Sequence, residues 1–413
     1  KRKFIIKLKL LDTTLDYKKI ENKLKKNSYF YLKKNLTLDE KNKFWSLGEK
    51  GLIFEITQTR IYPHKNLFSH VLGQIDIDNN GISGIEKFYD TDLKKNDNQS
   101  IHLSLDTNLQ YLIREELLKS LSTFQSKGAA SLLMDVNTGE ILSLISLPDY
   151  NLNLRQDLKD KNFTNKITKG VFELGSIFKT FTLALAIEND LYSPSTIIKN
   201  IPDKIQCSKF TINEHDEMPS DLTLKEILVR SSNIGTIKVA RSLGEDKLKN
   251  FLEDLNLLNK INLELDEIGS PLKFLWNKCK LETVSYGHGI TTTPLQAASA
   301  YASITNGGIV VNPTLIKNKT MNSKTKRIVS LKTSKNINNM LREVVVSADG
   351  TASLAEVNGY YVGGKTGTAN KNINGEYTSK KLTSFISVFP TNDPKYLLLK
   401  LIDEPKPAPE LVY

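Results

Sequence analysis

The segment Phe172-Glu173-Leu174-Gly175-Ser176-Ile177-Phe178-Lys179 decides how the rest of the chain reads. Apolar periodicity predicts a helix over 176–190, so Ser176 and Lys179, three residues apart, share a helical face. A helix start offers unpaired backbone N–H groups and the positive end of a dipole beside the serine hydroxyl. That hydroxyl is a weak nucleophile until a base takes its proton. An unprotonated lysine can be the base, provided burial or a second cation keeps it neutral. The spacing alone is weak, because Ser270-Pro271-Leu272-Lys273 and Ser323-Lys324-Thr325-Lys326 repeat it without support.

Two later segments supply the support. Ser231-Ser232-Asn233 falls at a predicted break between helical stretches at 223–230 and 234–242. A hydroxyl there can relay a proton and a side-chain amide can hold a peptide group, although the same residues also suit an ordinary helix–helix turn. Lys365-Thr366-Gly367-Thr368 follows Gly363-Gly364 in a strand-like run from Tyr360 to Ala369. Glycine in a strand marks a place where another backbone comes close. A substrate could pair along this edge with Lys365, Thr366 and Thr368 facing its carboxylate; the competing reading is a bulge with a solvated lysine. Together, in this order on helix, loop and strand, the three segments are far more specific than any one.

Around them the chain alternates strands and helices in blocks. Asp106 caps a helical pattern with Leu109, Leu112, Ile113, Leu117 and Leu118 on one face. Ala130–Val136 and Glu140–Leu147 read as strands joined by the turn Asn137-Thr138-Gly139. The middle, roughly 176–306, is helical, with a last amphipathic segment at 293–306. Strands return at Tyr360–Ala369, Leu382–Phe389 and Tyr396–Ile402. This order predicts an α+β fold: an antiparallel sheet flanked by helices, with a helical subdomain inserted and a cleft between the two. Residues 1–95 are lysine-rich with short strand-like runs such as Gly51–Ile56, and 94–100 reads as a linker.

The chain has 413 residues, 39% of them hydrophobic and 25% charged, enough for two or three folded units and too apolar for disorder. No stretch reaches the ~18–20 apolar residues that cross a bilayer. The formal charge of +11 comes from lysines spread along the chain and densest in the first fifty residues. No aromatic-interleaved basic motif accompanies them, so a nucleic-acid partner is not expected; a solvated surface, or a basic skirt beside anionic lipid, is. The five histidines are scattered and the two cysteines, Cys207 and Cys279, fit no metal pattern, so neither metal nor cofactor is expected. Spacing does not say whether the cysteines pair; an oxidising compartment would permit it.

The three segments match the motif set of penicillin-binding proteins and related β-lactamases. The chain resembles a class B penicillin-binding protein of the septal, FtsI-type branch over nearly all its length. Beside the motifs, Phe172–Gly175, Ile234-Gly235, Tyr286-Gly287-His288-Gly289-Ile290, Thr293-Pro294-Leu295-Gln296 and Gly350-Thr351-Ala352 carry the resemblance. Leu174 stands where the family usually has proline. Upstream, Arg60-Ile61-Tyr62-Pro63, His70-Val71-Leu72-Gly73 and Gly81–Glu86 resemble the family's non-catalytic pedestal.

The resemblance implies a pedestal over 1–98 and a transpeptidase domain of the penicillin-binding-protein/serine β-lactamase type over 99–413. It implies a serine D,D-transpeptidase that cross-links peptidoglycan stem peptides ending in D-Ala-D-Ala during cell division and is acylated by β-lactams. Ser176 would be the nucleophile, Lys179 the base and Ser231 a proton relay. Asn233 would orient the donor peptide and assist Lys179, and Lys365 would help keep Lys179 neutral. Lys365, Thr366, Gly367 and Thr368 would receive the terminal carboxylate, and the backbone N–H groups of Ser176 and Thr368 would form the oxyanion hole. His288 reads as a brace for its glycine-rich loop. The implied location is the inner membrane, single-pass with the catalytic part in the periplasm, beside a SEDS-family glycosyltransferase and other division proteins. The anchor and a final helix on the sheet are expected beyond the sequence given, the latter leaving an apolar sheet face exposed. A serine β-lactamase or β-lactam sensor shares the motif logic, but no glutamate-bearing deacylation motif is present and those proteins lack the pedestal. A D,D-carboxypeptidase and a non-catalytic division scaffold are the remaining alternatives.

Overall fold

Along Tyr396–Asp403 the leucines at 397, 399 and 401 are buried while Tyr396, Leu398, Lys400 and Ile402 are more exposed, the two-residue period of a strand with one face in a core. This strand lies at the centre of the molecule. The computed structural model describes every residue except 1, 27–28, 35, 58, 96–99, 155–159, 161–162, 209, 320–325, 374 and 408–413. Of the two sequence repeats of the Ser-x-x-Lys spacing, Ser270 and Lys273 are exposed in coil, and Ser323 lies outside the described residues.

The chain opens with helices α1 (Arg2–Leu11), α2 (Tyr17–Lys25) and α3 (Leu38–Trp45). Short helices α4 (Ser69–Leu72), α5 (Gly84–Phe88) and α6 (Asp90–Lys94) follow. The run Gly51–Ile56, expected as strand, forms none. Among the described residues no strand pairs with it, and Ile53 and Ile56 are exposed, so nothing rewards the extended pairing. Residues 60–94 pack on the later part of the chain: Asn153 bonds both backbone groups of Tyr62, Tyr150 OH donates to Ser69 O, and Val71 and Ile85 join the main core. Among the described residues no helix is long and apolar enough to cross a membrane.

Helix α7 (Thr107–Thr123) starts where the Asp106 carboxylate accepts from the N–H groups of Asn108 and Leu109. Its Ile113, Leu117, Leu118 and Leu121 pack against Ala129, Ile145 and Leu147. Leu112, expected on that face, is exposed, because the packed stripe follows the 113–117–121 row. Strands β1 (Gly128–Asp135) and β2 (Ile141–Leu147) form the expected hairpin. Helix α8 (Lys179–Glu188) is buried on all sides up to its last residue. The short strands β3 (Ile197–Ile198), β4 (Lys204–Cys207), β5 (Phe210–Asn213) and β6 (Leu222–Thr223) form two small ribbons, β3 with β6 and β4 with β5.

Helices α9 (Leu224–Val229), α10 (Asn233–Leu243), α11 (Glu245–Asp254), α12 (Lys280–Ser285), α13 (Pro294–Thr305) and α14 (Leu331–Val346) build the helical block. Thr223 with Glu226 and Thr293 with Gln296 form reciprocal capping boxes that set the starts of α9 and α13. The last strands are β7 (Gly363–Ile373), β8 (Glu376–Phe389) and β9 (Tyr396–Asp403). The expected strand at 360–369 therefore starts three residues later and runs on to residue 373, into a long hairpin with β8. The sheet order is β2-β1-β9-β8-β7, every pair antiparallel, which puts β7 at an edge with its outer side open. On the outer face, beyond α7, Phe385, Leu398 and Ile402 are only partly buried.

Cys207 at the end of β4 is bonded to Cys279, 72 residues on, with Cα atoms 5.7 Å apart. The bridge ties the β4–β5 hairpin, which puts only Ile205, Cys207 and Ile212 into the core, to the start of α12. Replacing both cysteines by serine should destabilise this region by about 2–4 kcal/mol, measured as a lower melting temperature. An unchanged melt would mean that the hairpin is held without the bridge.

Candidate active site

Ser176 enters through a 3-10 turn, Gly175–Phe178, and the α-helix proper begins at Lys179, three residues later than the sequence suggests. The reason lies just upstream. Phe172 and Thr292 exchange both backbone hydrogen bonds, at 2.9 Å each, and the chain must then turn sharply through Gly175 in the left-handed region (φ +61°). A tight 3-10 turn is the usual way to enter a helix from such a bend. A β-carbon at Gly175 would lie 2.4 Å from Thr368 O, and one at Gly367 would lie 2.3 Å from Leu174 O. Both glycines are therefore required by contact between two backbones. That contact sets the backbone of Thr368 beside Ser176. From behind, the buried Tyr301 hydroxyl donates to Ile177 O (2.7 Å) and lies 2.7 Å from Thr180 Oγ1, fixing the turn to α13.

Ser231 is held by the end of one helix and the start of the next. Ser232 N–H donates to Ile227 O (3.0 Å) and Ser231 N–H to Leu228 O (3.2 Å), the paired bonds that close a helix through a left-handed residue. Glycine is the usual choice at that position, but here it is Ser231, at φ +60°. Ser232 then caps α10, its hydroxyl accepting from Gly235 N–H. A serine in an unfavourable backbone region, with its side chain aimed at a cluster of cations, points to a functional requirement.

The cluster is compact. Lys179 Nζ donates to Ser231 Oγ at 3.0 Å and also to the Ser231 carbonyl oxygen. Lys365 Nζ lies 3.0 Å from the same Oγ, 3.2 Å from Thr366 O and 3.4 Å from Thr366 Oγ1. Both lysines are fully buried. Burial holds Lys179 well below the ordinary lysine range, the positive charge of Lys365 pushes it further down, and the Glu214 carboxylate opposes them. Burial pushes Lys365 down to about 7. Lys179 is thus the amine that gives up its proton first, with Lys365 still an ammonium below about 7 and Ser231 Oγ between them.

Of the residues singled out in the sequence, Lys179, Ser231 and Lys365 meet in one hydrogen-bonded group. Ser176 sits one turn before Lys179, partly exposed, and its hydroxyl takes no hydrogen bond among the described residues, the lysine bonding Ser231 instead. Thr366 Oγ1 bonds Thr351 Oγ1 at 3.0 Å, Gly367 is buried against Leu174, and Thr368 is exposed at the strand edge. Asn233 is buried and does not reach Lys179. Its Nδ2 donates to Asn213 O (3.2 Å) and its Oδ1 is buried without a hydrogen-bond partner. His288 stacks on Tyr377 (4.8 Å between ring centres) with Nδ1 3.5 Å from Glu173, which also accepts from Tyr377 OH and Gly289 N–H. That bracing role fits a structural histidine. Glu214 and Tyr301 were not singled out in the sequence, because each reaches the site only through a long-range contact; Thr351, read there only as part of Gly350-Thr351-Ala352, reaches the site through Thr366. Among the described residues no group of three or more His, Cys, Asp or Glu side chains could hold a metal ion.

Residues 129–411 match the family model of the penicillin binding protein transpeptidase domain. The probable peptidoglycan D,D-transpeptidase FtsI of Caulobacter vibrioides is 33% identical over 385 residues, covering 90% of this chain and 65% of the relative. The peptidoglycan D,D-transpeptidase FtsI of Buchnera aphidicola (subsp. Baizongia pistaciae) is 30% identical, covering 97% and 76%. Among solved structures, penicillin binding protein 3 of Mycobacterium tuberculosis in complex with ampicillin superposes with a TM-score of 0.77 at 25% identity, over 84% of this chain and 83% of that one. This chain spans about two thirds of the length of the Caulobacter relative.

The left-handed backbone at Ser231 yields a test of strain. Ser231→Gly and Ser231→Ala both remove the hydroxyl, so their difference isolates the backbone. The glycine variant should be the more stable by about 1 kcal/mol, seen as a higher melting temperature. Equal melts would show that Ser231 carries no such strain.

Proposed function

Because this chain belongs to the penicillin-binding-protein transpeptidases, in their FtsI-type class B branch, we propose that it is a serine D,D-transpeptidase that cross-links peptidoglycan stem peptides. The observation that carries the reading is the approach of two buried lysine nitrogens to one serine hydroxyl at 3.0 Å each, one turn from a partly exposed serine. Ser176 Oγ attacks the carbonyl carbon between the two terminal D-Ala residues while its proton passes to Lys179 Nζ. The oxyanion that forms is stabilised by the N–H groups of Ser176 and Thr368, which the Gly175–Thr368 contact brings close; such donors are usually a large part of catalysis. Ser231 then gives its proton to the departing amine and receives one from Lys179, the C–N bond breaks, and D-Ala leaves. The amine of a neighbouring stem attacks the ester, its proton returns along the same groups, and Ser176 is restored.

Substrate binding follows from the remaining groups. Lys365, Thr366 and Thr368 line the open edge of β7, where the terminal carboxylate of the donor would sit. The amide of Asn233, whose Oδ1 is buried without a partner, would have to turn toward the cleft to accept from a donor-peptide N–H. β-Lactams, which carry a carboxylate beside a strained amide, would occupy the same place and acylate Ser176; penicillin binding protein 3 of Mycobacterium tuberculosis forms a complex with one of them, ampicillin.

The disulfide supports an oxidising compartment, here the periplasm, with a single-pass anchor in the inner membrane. Residues 1–98 are assigned as the pedestal, whose exposed Ile53, Ile56 and Ile61 are suited to contact with a SEDS-family glycosyltransferase and other division proteins at the septum.

The test is the intact mass of the chain after exposure to benzylpenicillin, with peptide mapping. One adduct on Ser176 is expected, lost in Ser176→Ala and formed at least ~10³-fold more slowly in Lys179→Ala. An adduct that persists in Ser176→Ala would discard this nucleophile, and rapid hydrolytic turnover of the drug would favour a β-lactamase instead.

A further inference from the structure

Glu214 follows β5 immediately and stands 17 residues before Ser231, yet its carboxylate meets the Ser231-Ser232-Asn233 turn at three points. Oε1 accepts from Ser232 Oγ (2.6 Å) and from Ile234 N–H (2.9 Å), and Oε2 accepts from Asn233 N–H (2.7 Å). The two N–H groups are orphan donors at the start of α10, where a negative charge also faces the positive end of the helix dipole. Asn213, next to Glu214, accepts from Asn233 Nδ2, so the turn is gripped twice by the end of one hairpin. That hairpin is itself anchored by the Cys207–Cys279 bridge.

We propose that Glu214 is a positioning residue for acyl transfer: it clamps the turn that presents Ser231 Oγ and supplies the negative charge that acts on the buried Lys179. This inference rests on the acyl-transfer reading above. A helix cap alone would explain one or two of the bonds. It would not explain why a carboxylate is placed where its charge acts on the base.

The charges around Lys179 are few. Those acting on it are Lys365 from β7 and Glu214 from the hairpin. Arg230, Arg241 and Arg342 pair with Asp349, Glu282 and Glu356, and none of them is among the charges that act on Lys179. Ser231 links Lys179 and Lys365, so a shift of the turn would loosen both at once. The sign of the electrostatic effect is definite. The carboxylate favours the protonated form of Lys179, opposing burial and Lys365. Its removal must make Lys179 lose its proton at lower pH, so that acylation, which needs the neutral amine, begins at lower pH.

Single-turnover acylation by a fluorescent penicillin, measured against pH with melting temperature as a control, tests this. Glu214→Gln should acylate about ten- to a hundredfold more slowly at its optimum, with the acidic limb of the profile moved to lower pH. Glu214→Asp, with the charge kept and the reach shortened, should also be slower but keep the acidic limb in place. A helix cap without electrostatic function would slow the reaction and leave both limbs unmoved, which would overturn the proposal, as would a wild-type rate in Glu214→Gln. Should the Gln variant fail to fold, Glu214→Asn measured against Glu214→Asp, equal in size and different in charge, decides: an acidic limb at lower pH in the Asn variant supports the proposal, and limbs at the same pH in the two overturn it. Failure of the unsubstituted chain to label would instead overturn the acyl-transfer reading underneath.

Discussion

Two ammonium groups cannot both stay charged when each approaches the same buried hydroxyl. Lys179 Nζ and Lys365 Nζ both lie 3.0 Å from Ser231 Oγ. At a separation of no more than about 6 Å and an effective dielectric near 20, their repulsion is about 3 kcal/mol, before any loss of hydration. Burial disfavours charge on either. One must give up its proton, and the additional push on Lys179 makes it the one. The nucleophile chemistry depends on this division of one charge between two amines.

Much of the surrounding structure holds that arrangement against its own tendency to relax. Two buried lysines and a left-handed serine are destabilising, and the fold surrounds them with buried elements. Helix α8 is buried on every side, α13 throughout, and the sheet presents Leu397, Leu399 and Leu401 to the same core. Tyr301 pins the 3-10 turn from behind, and the glycine contacts at Gly175 and Gly367 let β7 approach without a side chain between. Glu214 completes the set from the hairpin side. The result is an open strand edge next to a rigid nucleophile, with rigidity supplied by elements far apart in the chain.

The sequence made some of this legible and left the rest hidden for definite reasons. Strand and helix order could be read because apolar residues repeat every two positions in β9 and a cap such as Asp106 is local. Lys179, Ser231 and Lys365 could be read because three short patterns occur in order. Gly51–Ile56 misled because strand formation needs a partner that composition does not announce. Leu112 misled because a helical stripe of apolar residues is wider than the surface that covers it. The Cys207–Cys279 pairing, Glu214 and Tyr301 were invisible since each is defined by a contact across tens of residues. Even Ser176 was only half legible: its spacing from Lys179 is local, whereas the preference of that lysine for Ser231 is a property of the folded site.

The central claim, a neutral Lys179 facing a cationic Lys365, is tested most directly by the alkaline side of the acylation profile. In the unsubstituted chain the rate should fall as Lys365 loses its proton, at a pKa of about 7 in the free protein. In Lys365→Arg, whose guanidinium stays charged, acylation can be slower overall but should persist to higher pH. An alkaline limb at the same pH in both proteins would contradict the account, because the strand-borne cation would then not be the group whose charge the reaction requires.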